Sequence, residues 1–500
     1  MSNAGVAELV DALDLGSSGG DSVKVRVLSP APSQQLRNKL AGLARRSTRD
    51  TGGTLNITVT EPQREENTLT AEVTVAASDV NAAIKKTYKD IAQQYRFQGF
   101  RRGKAPRPVV DAMLGKESVF AQATNDLLNN LEPAVLEEMD VTPVGRLSFG
   151  EEPELLVEGA EYKVNVKVDV RPQVELESYD APEVNMPPEE ATDAEIDWQI
   201  NQLLSYQTSY EDTEDDREVA EGDIVNVTIE DVQGASHLAG ENRTVFLNGQ
   251  QLPAELQAGI VGMKKGETKD VEWTHSHEHD GETLSHDFKV KVTLNAIKVA
   301  VVPELSDELV KKSFGYDDVD AFKAAVKEEI EADKKHTLPE LKEDRVVEAM
   351  GKQVKLDEVP ENYKNEIFNE LAQEFLGQLQ RQNISLDMFL RARGVKSEDF
   401  IADLHAQADE RARQSLALDA VAEKLGLEAS DEDVDNEFAR AGIEDVKSTV
   451  AQWKKDGRLP AIRDSIKRTK ALDWLVENAK VTVKDEVAER AAEAEAADAE

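Results

Sequence analysis

Gly99-Phe100-Arg101-Arg102-Gly103-Lys104-Ala105-Pro106 is the stretch of this 500-residue chain from which its fold and function can be worked out. Five basic residues and no acidic ones lie between Arg96 and Arg107, although the whole chain has 59 Lys and Arg against 99 Asp and Glu. Two glycines and a proline favour a tightly turned, exposed loop. Phe100 lies in the middle of that loop, where an aromatic residue is normally hidden.

Two interpretations of this loop follow from its residues alone. An exposed aromatic ring flanked by arginines suits a surface that binds RNA or an acidic protein, because guanidinium groups engage phosphates and a ring can stack or insert. The alternative is a solvated turn in which Phe100 folds back onto the core. Residue types and spacing leave both open.

The composition excludes several function classes. A formal charge of -40 makes the chain as a whole a poor binder of nucleic acid, so any RNA contact must come from a local basic patch. The absence of cysteine excludes disulfides, thiolate metal sites and cysteine nucleophiles. There is no phosphate-binding loop, serine nucleophile elbow or zinc-protease motif. No stretch resembles a signal peptide or a membrane span, so we expect a cytoplasmic protein without membrane contact or cofactor.

Residues 55–170 around the loop predict an α+β domain. Apolar residues alternate over Leu69–Val75, and a second strand-like segment runs from Tyr162 to Val170, which indicates half-buried strands. Helices are predicted at 108–114 and 117–139, separated by Gly115. An earlier helix is predicted from apolar residues three and four apart, namely Val80, Ile84, Tyr88, Ile91 and Tyr95.

Residues 1–54 differ from the rest in being rich in Gly and Ser without clear periodicity. The run Gly5–Pro32 resembles a translated transfer-RNA gene, which suggests a gene start placed too early and a true beginning at Leu55. The alternative is a disordered N-terminal extension.

The remaining chain divides by composition into four parts. Residues 171–215 contain four prolines and then an amphipathic pattern, which predicts an extended linker running into a helix. Residues 216–300 alternate like short antiparallel strands. Residues 301–482 are helical, with the stripe Ile367, Leu371, Phe375 and Leu379 on one face. Residues 483–500 predict an acidic tail that is disordered or a frayed helix. The chain length itself favours about three domains.

The loop matches the ribosome-binding signature Gly-Phe-Arg-x-Gly-Lys-x-Pro of the trigger factor family at every specified position. The similarity in domain order extends over residues 55–480. The resemblance implies an α+β ribosome-binding domain, an FKBP-like β-rich domain and an elongated all-α C-terminal body with arms. It implies an ATP-independent chaperone that holds nascent unfolded polypeptides beside the exit tunnel. Its partners would be a ribosomal protein and rRNA of the large subunit, and a homodimer off the ribosome stays open. The docking residues would be Gly99, Phe100, Arg101, Arg102, Gly103, Lys104 and Pro106.

The segment Leu256–Glu267 resembles FKBP-type peptidyl-prolyl isomerases. Such an enzyme needs an apolar pocket for a twisted prolyl bond and no nucleophile, because the barrier is rotational. Leu256 and Asp231 stand where that family has aromatic residues, and its flap tyrosine is missing from 274–279. The pocket candidates that remain are Phe246, Leu252, Leu256, Ile260, Trp273 and Phe288. We expect the prolyl isomerase activity to be weak or lost, and the sequence identifies no catalytic residue.

His275, His277 and His279 alternate, with His286 nearby. On a strand these imidazoles share a face, as a zinc or nickel site would require. The alternative, which we favour, is an exposed polar loop without metal.

Two competing functions remain. One is a free cytoplasmic peptidyl-prolyl isomerase or holding chaperone not tied to the ribosome. The other is a periplasmic-type chaperone of similar helical architecture. The basic loop favours ribosome docking over both, and the eroded pocket disfavours an enzyme as the main function.

Overall fold

A computed structural model describes residues 55–150, 153–213, 217–248, 252–279 and 282–498. The proposed non-native or disordered extension, residues 1–54, lies outside the described residues. The chain folds into two compact units. The first comprises the described residues up to Met186 together with Thr337–Lys484. The second comprises Pro187–His336 and the chain from Asp485 onward.

The first unit begins with a four-stranded antiparallel sheet. β3 (Thr68–Val75) is its central strand and pairs along one edge with β4 (Tyr162–Asp169). The short strands β1 (Ile57–Val59) and β2 (Gln63–Glu65) share the other edge. Every second residue of β3 and β4 is buried, because successive side chains in a strand point to opposite faces. The predicted strands at 69–75 and 162–170 are therefore confirmed.

Three helices cover the buried face of this sheet: α1 (Ala77–Gln94), α2 (Arg107–Leu114) and α3 (Lys116–Met139). Gly115 separates α2 from α3 at φ +83°, a conformation that glycine adopts without strain. The predicted helices at 108–114 and 117–139 are thus confirmed. Residues of α1, α3 and the sheet form one apolar core.

After β4 the chain runs along the helical part of the same unit. β5 (Glu175–Leu176) pairs with β12 (Val354–Lys355), and β6 (Glu183–Met186) pairs in parallel with β13 (Lys480–Val483). Leu176, Val184 and Met186 are buried among the helices. The segment predicted as an extended linker is extended, and it adds two short strands to the helical body.

The helical body surrounds one long central helix, α10 (Ser397–Leu425), which packs against α8 (Glu361–Arg381) and α13 (Leu459–Asn478). The predicted stripe on α8 is confirmed, because its four members are all buried. The other helices of this part are the second half of α7 (Val319–Gly351), α8 (Glu361–Arg381), α9 (Leu386–Arg393), α11 (Asp431–Arg440), α12 (Val446–Lys455) and α13 (Leu459–Asn478).

The described strands of the second unit are β7 (Ser209–Asp212), β8 (Ile224–Gln233), β9 (Gly240–Phe246), β10 (Thr268–His279) and β11 (Glu282–Val301). They form a sheet with the order β10-β11-β8-β9, antiparallel throughout as the sequence predicts. β7 pairs with the last residues of β11, and the short helix α5 (Ala254–Ile260) packs on β10.

Helices of the second unit form a separate small core. α4 (Asp193–Ser205) starts with a capping box between Thr192 and Glu195. The buried Lys334 on α7 donates from Nζ to Glu195 Oε2 at 2.6 Å, which ties the two helices together. The short helix α6 (Asp307–Leu309) continues into a π-helical turn. The tail forms α14 (Glu486–Asp498), where the sequence predicts disorder or a frayed helix.

The fold class predicted from the sequence is confirmed: an α+β N-terminal domain, a β-rich domain and a helical C-terminal body. Of the helices formed by described residues, none combines the length and the apolar character needed to cross a bilayer.

Candidate functional site: a basic loop closed on a helix end

The basic loop connects α1 to α2 and is closed by hydrogen bonds onto the end of α1. The Gly103 N–H donates to the Ala92 carbonyl at 2.7 Å. Gly103 has φ +78°, and a Cβ atom there would lie 3.2 Å from Gln93 Cγ. A side chain at this position would therefore meet both backbone strain and crowding. The second glycine of the signature is needed for closing the loop.

Arg102 strengthens this closure. Its Nε donates to the Gln93 carbonyl at 2.7 Å, and its Nη2 donates to the Gln94 carbonyl at 3.3 Å. These carbonyls belong to the last turn of α1, where the carbonyl groups have no hydrogen-bond donor within the helix. The negative end of the helix dipole lies at the same turn. The Arg102 guanidinium therefore caps α1.

The two phenylalanines of the loop differ in exposure. Phe97 is 5% exposed and belongs to the core under the sheet, so it anchors the loop. Phe100 is 41% exposed, which favours the binding interpretation over a ring folded onto the core. The Phe100 N–H donates to the Phe97 carbonyl at 3.2 Å, so the anchor and the exposed ring are held in one turn.

The prediction that Tyr95 lies on the apolar face of α1 is wrong. The helix ends at Gln94, and Tyr95 has extended backbone angles and a side chain that is 46% exposed. Apolar residues recur three and four positions apart for one residue beyond the end of the helix. The periodicity of the sequence therefore predicts, wrongly, that Tyr95 lies in the core.

Side chains on both helices hold the base of the loop. The Tyr88 hydroxyl on α1 donates to Asp111 Oδ1 on α2 at 2.5 Å. Burial, together with that hydrogen bond to a carboxylate, raises the pKa of Tyr88 to about 12. The Arg107 guanidinium lies 4.8 Å from the Tyr88 ring centroid and pairs with Glu158 at 2.7 Å. The loop therefore starts and ends on two helices that are held together by side-chain contacts.

The loop presents positive charge without internal compensation. Arg96, Arg101 and Lys104 are exposed, and none of them has an ion pair or side-chain hydrogen bond with any described residue. Thus the structure brings the predicted residues Gly99, Phe100 and Arg101 together on the exposed turn, with Lys104 and Pro106 at its end. Arg102, predicted as a contact residue, is turned toward α1.

The six isomerase candidates lie in the sheet domain of the second unit. Leu252, Leu256 and Ile260 are buried, and Leu256 and Ile260 have no exposed surface at all. α5 sits so close to β10 that a Cβ on Gly259 would lie 2.6 Å from Val271 Cγ2. The other three candidates, Phe246, Trp273 and Phe288, are partly buried.

The partly buried aromatic candidates pack against each other or their neighbours. Trp273 and Phe288 are a cross-strand pair whose rings stack with centroids 5.3 Å apart. Phe246 makes an edge contact with Tyr210. Asp231, at a position where an aromatic is expected, accepts a hydrogen bond from the Ala235 N–H.

The alternating histidines lie at the end of β10. The backbone register pairs His275 with His286 across β10 and β11. The side chains of His275, His277 and His279 lie outside the described residues.

A charged cluster that the sequence does not reveal lies where the N-terminal sheet domain meets the helices of the first unit. Arg171 donates to Asp419 at 2.8 Å and to Asp464 at 3.0 Å, while Arg468 donates to Asp419 at 2.6 Å. Burial raises the pKa of Asp419 to about 6, against the opposing effect of Arg171. The partners are 248 and 293 residues apart in sequence, so no local pattern could identify them.

The sequence of this chain is similar to those of known proteins over most of its length. Residues 57–203 match the model described as bacterial trigger factor protein, and residues 318–477 match that of the trigger factor C-terminus. The trigger factor of Lysinibacillus sphaericus is 30% identical over 431 residues, which are 84% of this chain and 98% of the relative. That of Shouchella clausii is 31% identical over 433 residues, which are 83% and 97% of the two chains.

A solved structure of the trigger factor chaperone, from work on promiscuous substrate recognition in folding and assembly, covers 84% of this chain and 99% of its own. It is 21% identical, with a TM-score of 0.36. Because nearly the full length of relatives such as that of Lysinibacillus sphaericus is spanned at 30% identity, the chain belongs to the bacterial trigger factor family of folding chaperones.

Proposed function

We propose that this chaperone docks on the large ribosomal subunit beside the polypeptide exit through the loop at 99–106. The observation that carries the proposal is the exposed Phe100 beside an unpaired Arg101, on a loop closed onto α1. A preordered loop loses little conformational entropy on binding. The loop is a locally basic surface in a chain of net charge -40, and the phosphates of rRNA would attract it. Docking places the protein in the cytoplasm.

Co-sedimentation with 70S ribosomes tests the docking. We expect the wild-type chain to pellet with ribosomes at low salt, and a Phe100→Ala, Arg101→Ala, Arg102→Ala triple variant to remain in the supernatant. Tyr206→Ala, at an exposed tyrosine of the second unit, is the matched control and should pellet like the wild type. If the wild type fails to pellet, the better function is a free holding chaperone.

The helical body, residues 301–482 in our proposed division, would hold the nascent chain. Large apolar side chains are exposed on its described surface at Met388, Leu425 and Val481. Scattered apolar contacts of this kind bind many sequences weakly, because no single shaped pocket is required. Release would need no nucleotide, since a folding client buries the segments that were held.

The β-rich domain, residues 216–300, would contribute little prolyl isomerisation. A prolyl ring needs an accessible apolar floor. Leu256, at the position of that floor, has no exposed surface, and α5 lies in close contact with β10. The helical body would therefore carry the chaperone activity.

A further inference from the structure

We infer that the interface between the C-terminal end of α3 and α13 fixes the N-terminal sheet domain on the helical body, with Gly457 and Arg463 as its positioning residues. Within the first unit, the basic loop belongs to the N-terminal sheet domain, whereas the exposed Met388 and Leu425 belong to the helical body. The interface would therefore set where the client-holding side chains lie once the loop is docked. This inference rests on the proposed docking and holding functions.

Gly457 ends α12 in a Schellman motif. Its N–H donates to the Lys454 carbonyl at 3.2 Å, and the Arg458 N–H donates to the Trp453 carbonyl at 3.0 Å. Gly457 has φ +64°, a left-handed conformation that glycine adopts without strain. Gly442 ends α11 in the same motif at φ +77°. The backbone conformation alone therefore favours a glycine at either position.

The surroundings of these two glycines differ. A Cβ atom on Gly457 would lie 2.6 Å from the carbonyl oxygen and 2.7 Å from the Cα of Pro133, which are backbone atoms of α3. A Cβ atom on Gly442 would meet no atom of the described chain within 4 Å. A methyl group at position 457 must therefore separate the turn between α12 and α13 from α3, because a packed helix backbone cannot move aside as a flexible side chain can.

Arg463 on α13 joins the end of α3 to the helical body by two ion pairs. Its Nη1 and Nη2 lie 2.6 Å from Asp140 Oδ1 and 3.3 Å from Glu137 Oε1. The side chains of Arg463 and Glu137 are only 18% and 13% exposed. Because the helix dipole disfavours carboxylates at a helix C-terminus, a cation from outside α3 offsets this unfavourable placement. The planar guanidinium group spans both carboxylates at once.

Two further contacts follow in the chain after α3. The Thr142 hydroxyl donates to Asp464 Oδ2 on α13 at 2.8 Å. Val144 is buried in the apolar core of α8 and α10, while its N–H donates to the Asp169 carbonyl at the end of β4. Domains joined by a linker move relative to each other unless their contacts prevent it. Backbone contact, ion pairs and apolar burial together restrict such movement between Pro133 and Val144.

Distances between two spin labels test whether the interface fixes the two parts. The chain has no cysteine, so Met113→Cys on α2 and Arg391→Cys on α9 provide two unique, exposed labelling sites. We expect one narrow distance distribution in the otherwise unchanged chain and in Gly442→Ala. Gly457→Ala should broaden or shift the distribution, because only there does the added methyl group meet α3. An unchanged distribution in Gly457→Ala would overturn the inference.

Arg463→Ala tests the same interface without a backbone change, and it decides the question if Gly457→Ala does not fold. We expect it to broaden the distance distribution, and Arg463→Lys, which keeps a charge beside the two carboxylates, to restore part of the wild-type distribution. Arg440→Ala removes the same charge from a more exposed pair on α11 and should leave the distances unchanged. Equal distributions in Arg463→Ala and Arg440→Ala would show that the ion pairs do not position the domain.

Photo-crosslinking on ribosomes tests the functional consequence. A p-benzoylphenylalanine residue in place of Met388 or Leu425 reports contact with a stalled nascent chain. We expect Gly457→Ala to bind 70S ribosomes and to delay aggregation of a free client like the wild type, but to lose crosslinks to the nascent chain. Crosslinks equal to those of the wild type would overturn the functional part of the inference. If the wild-type chain does not bind ribosomes, the docking function fails, and the spin-label distances still decide whether the interface fixes the domain.

Discussion

Phe97 and Phe100 are three residues apart in one loop, yet Phe97 anchors the loop in the core and Phe100 faces outward. Tyr95, which the periodicity of α1 assigns to the core, is also exposed. Whether each of these rings is buried or exposed depends on where the helix ends. Once the backbone becomes extended at Tyr95, the 100° rotation between successive residues no longer applies. The number of aromatic residues in the loop was predictable, but their directions were not.

At the residue scale, Asp419 is a partly buried charge that joins two arginines of the first unit. It accepts hydrogen bonds from Arg171 and Arg468, and both partly buried arginines would be left with less counter-charge in Asp419→Asn. Breaking a buried ion pair from one side costs about 3 to 5 kcal/mol. We expect a smaller loss, about 1 to 2 kcal/mol, because Asp464 still pairs with Arg171 and the raised pKa of Asp419 shows that burial already disfavours its charge. Urea denaturation of the wild type and Asp419→Asn at pH 7 measures this loss of unfolding free energy.

The matched control for that substitution is Asp387→Asn. Asp387 pairs with Arg391 across one turn of α9, and both side chains are well exposed. Exposed pairs of this type contribute about 0.3–0.5 kcal/mol. A loss in Asp419→Asn no larger than that of the control would contradict a stabilising role for the buried cluster.

At the element scale, α11 depends on its N-terminal cap. Ser430 Oγ accepts from the Asp433 N–H at 3.2 Å, and the Asp433 carboxylate accepts from the Ser430 N–H at 2.8 Å and from Lys470 at 2.7 Å. Lys470 lies on α13, so the cap also joins two helices. These hydrogen bonds hold the pKa of Asp433 well below its usual range.

Ser430→Ala removes half of the capping box and should cost about 1 kcal/mol in unfolding free energy at pH 7. Ser430→Thr keeps the accepting oxygen and should cost much less. Because the pKa of Asp433 is depressed in the folded state, its contribution is complete above the ordinary aspartate pKa, about 4, and is lost as the pH falls further. Urea titrations from pH 7 to pH 3 should therefore show Asp433→Asn and wild type converging in acid, and a constant difference would count against this cap.

The elements themselves differ in how far their sequences predict them. α2, α3 and α8 follow from apolar spacing, and Gly115 marks the break between the first two. β5 and β6 do not, because each is short and exists only through its partner. Their partners, β12 and β13, are well over a hundred residues away.

At the scale of the whole molecule, net charge and exposed apolar surface act together. A charge of -40 favours solubility through self-repulsion, and we propose that exposed apolar side chains such as Met388 hold an unfolded client. Nothing in this arrangement requires proline in the client or a bound nucleotide.

We therefore expect the full chain to delay aggregation of an unfolded client that contains no proline as well as it delays one that contains several. Added ATP should change neither result. In parallel, isomerisation of a short prolyl peptide should stay within about threefold of the uncatalysed rate, whose barrier is roughly 18–20 kcal/mol. Light scattering and a protease-coupled peptide assay measure the two activities. A large rate enhancement, or protection confined to proline-containing clients, would contradict the assignment of chaperone function to the helical body.

The sequence by itself determined the fold class, the bounds of α2 and α3, the antiparallel β-rich domain and the position of the basic loop. These properties are local: periodicity, glycine breaks and a run of arginines are read within a window of some twenty residues. The tertiary structure alone decided that Arg102 caps α1, that Tyr95 is exposed and that Leu256 on α5 is fully buried. It also decided the pairing of Arg171 with Asp419 and Asp464. Each of these features depends on where a helix ends or on which elements pack against each other. Contacts between residues that are far apart in the sequence cannot be recognised from local sequence patterns.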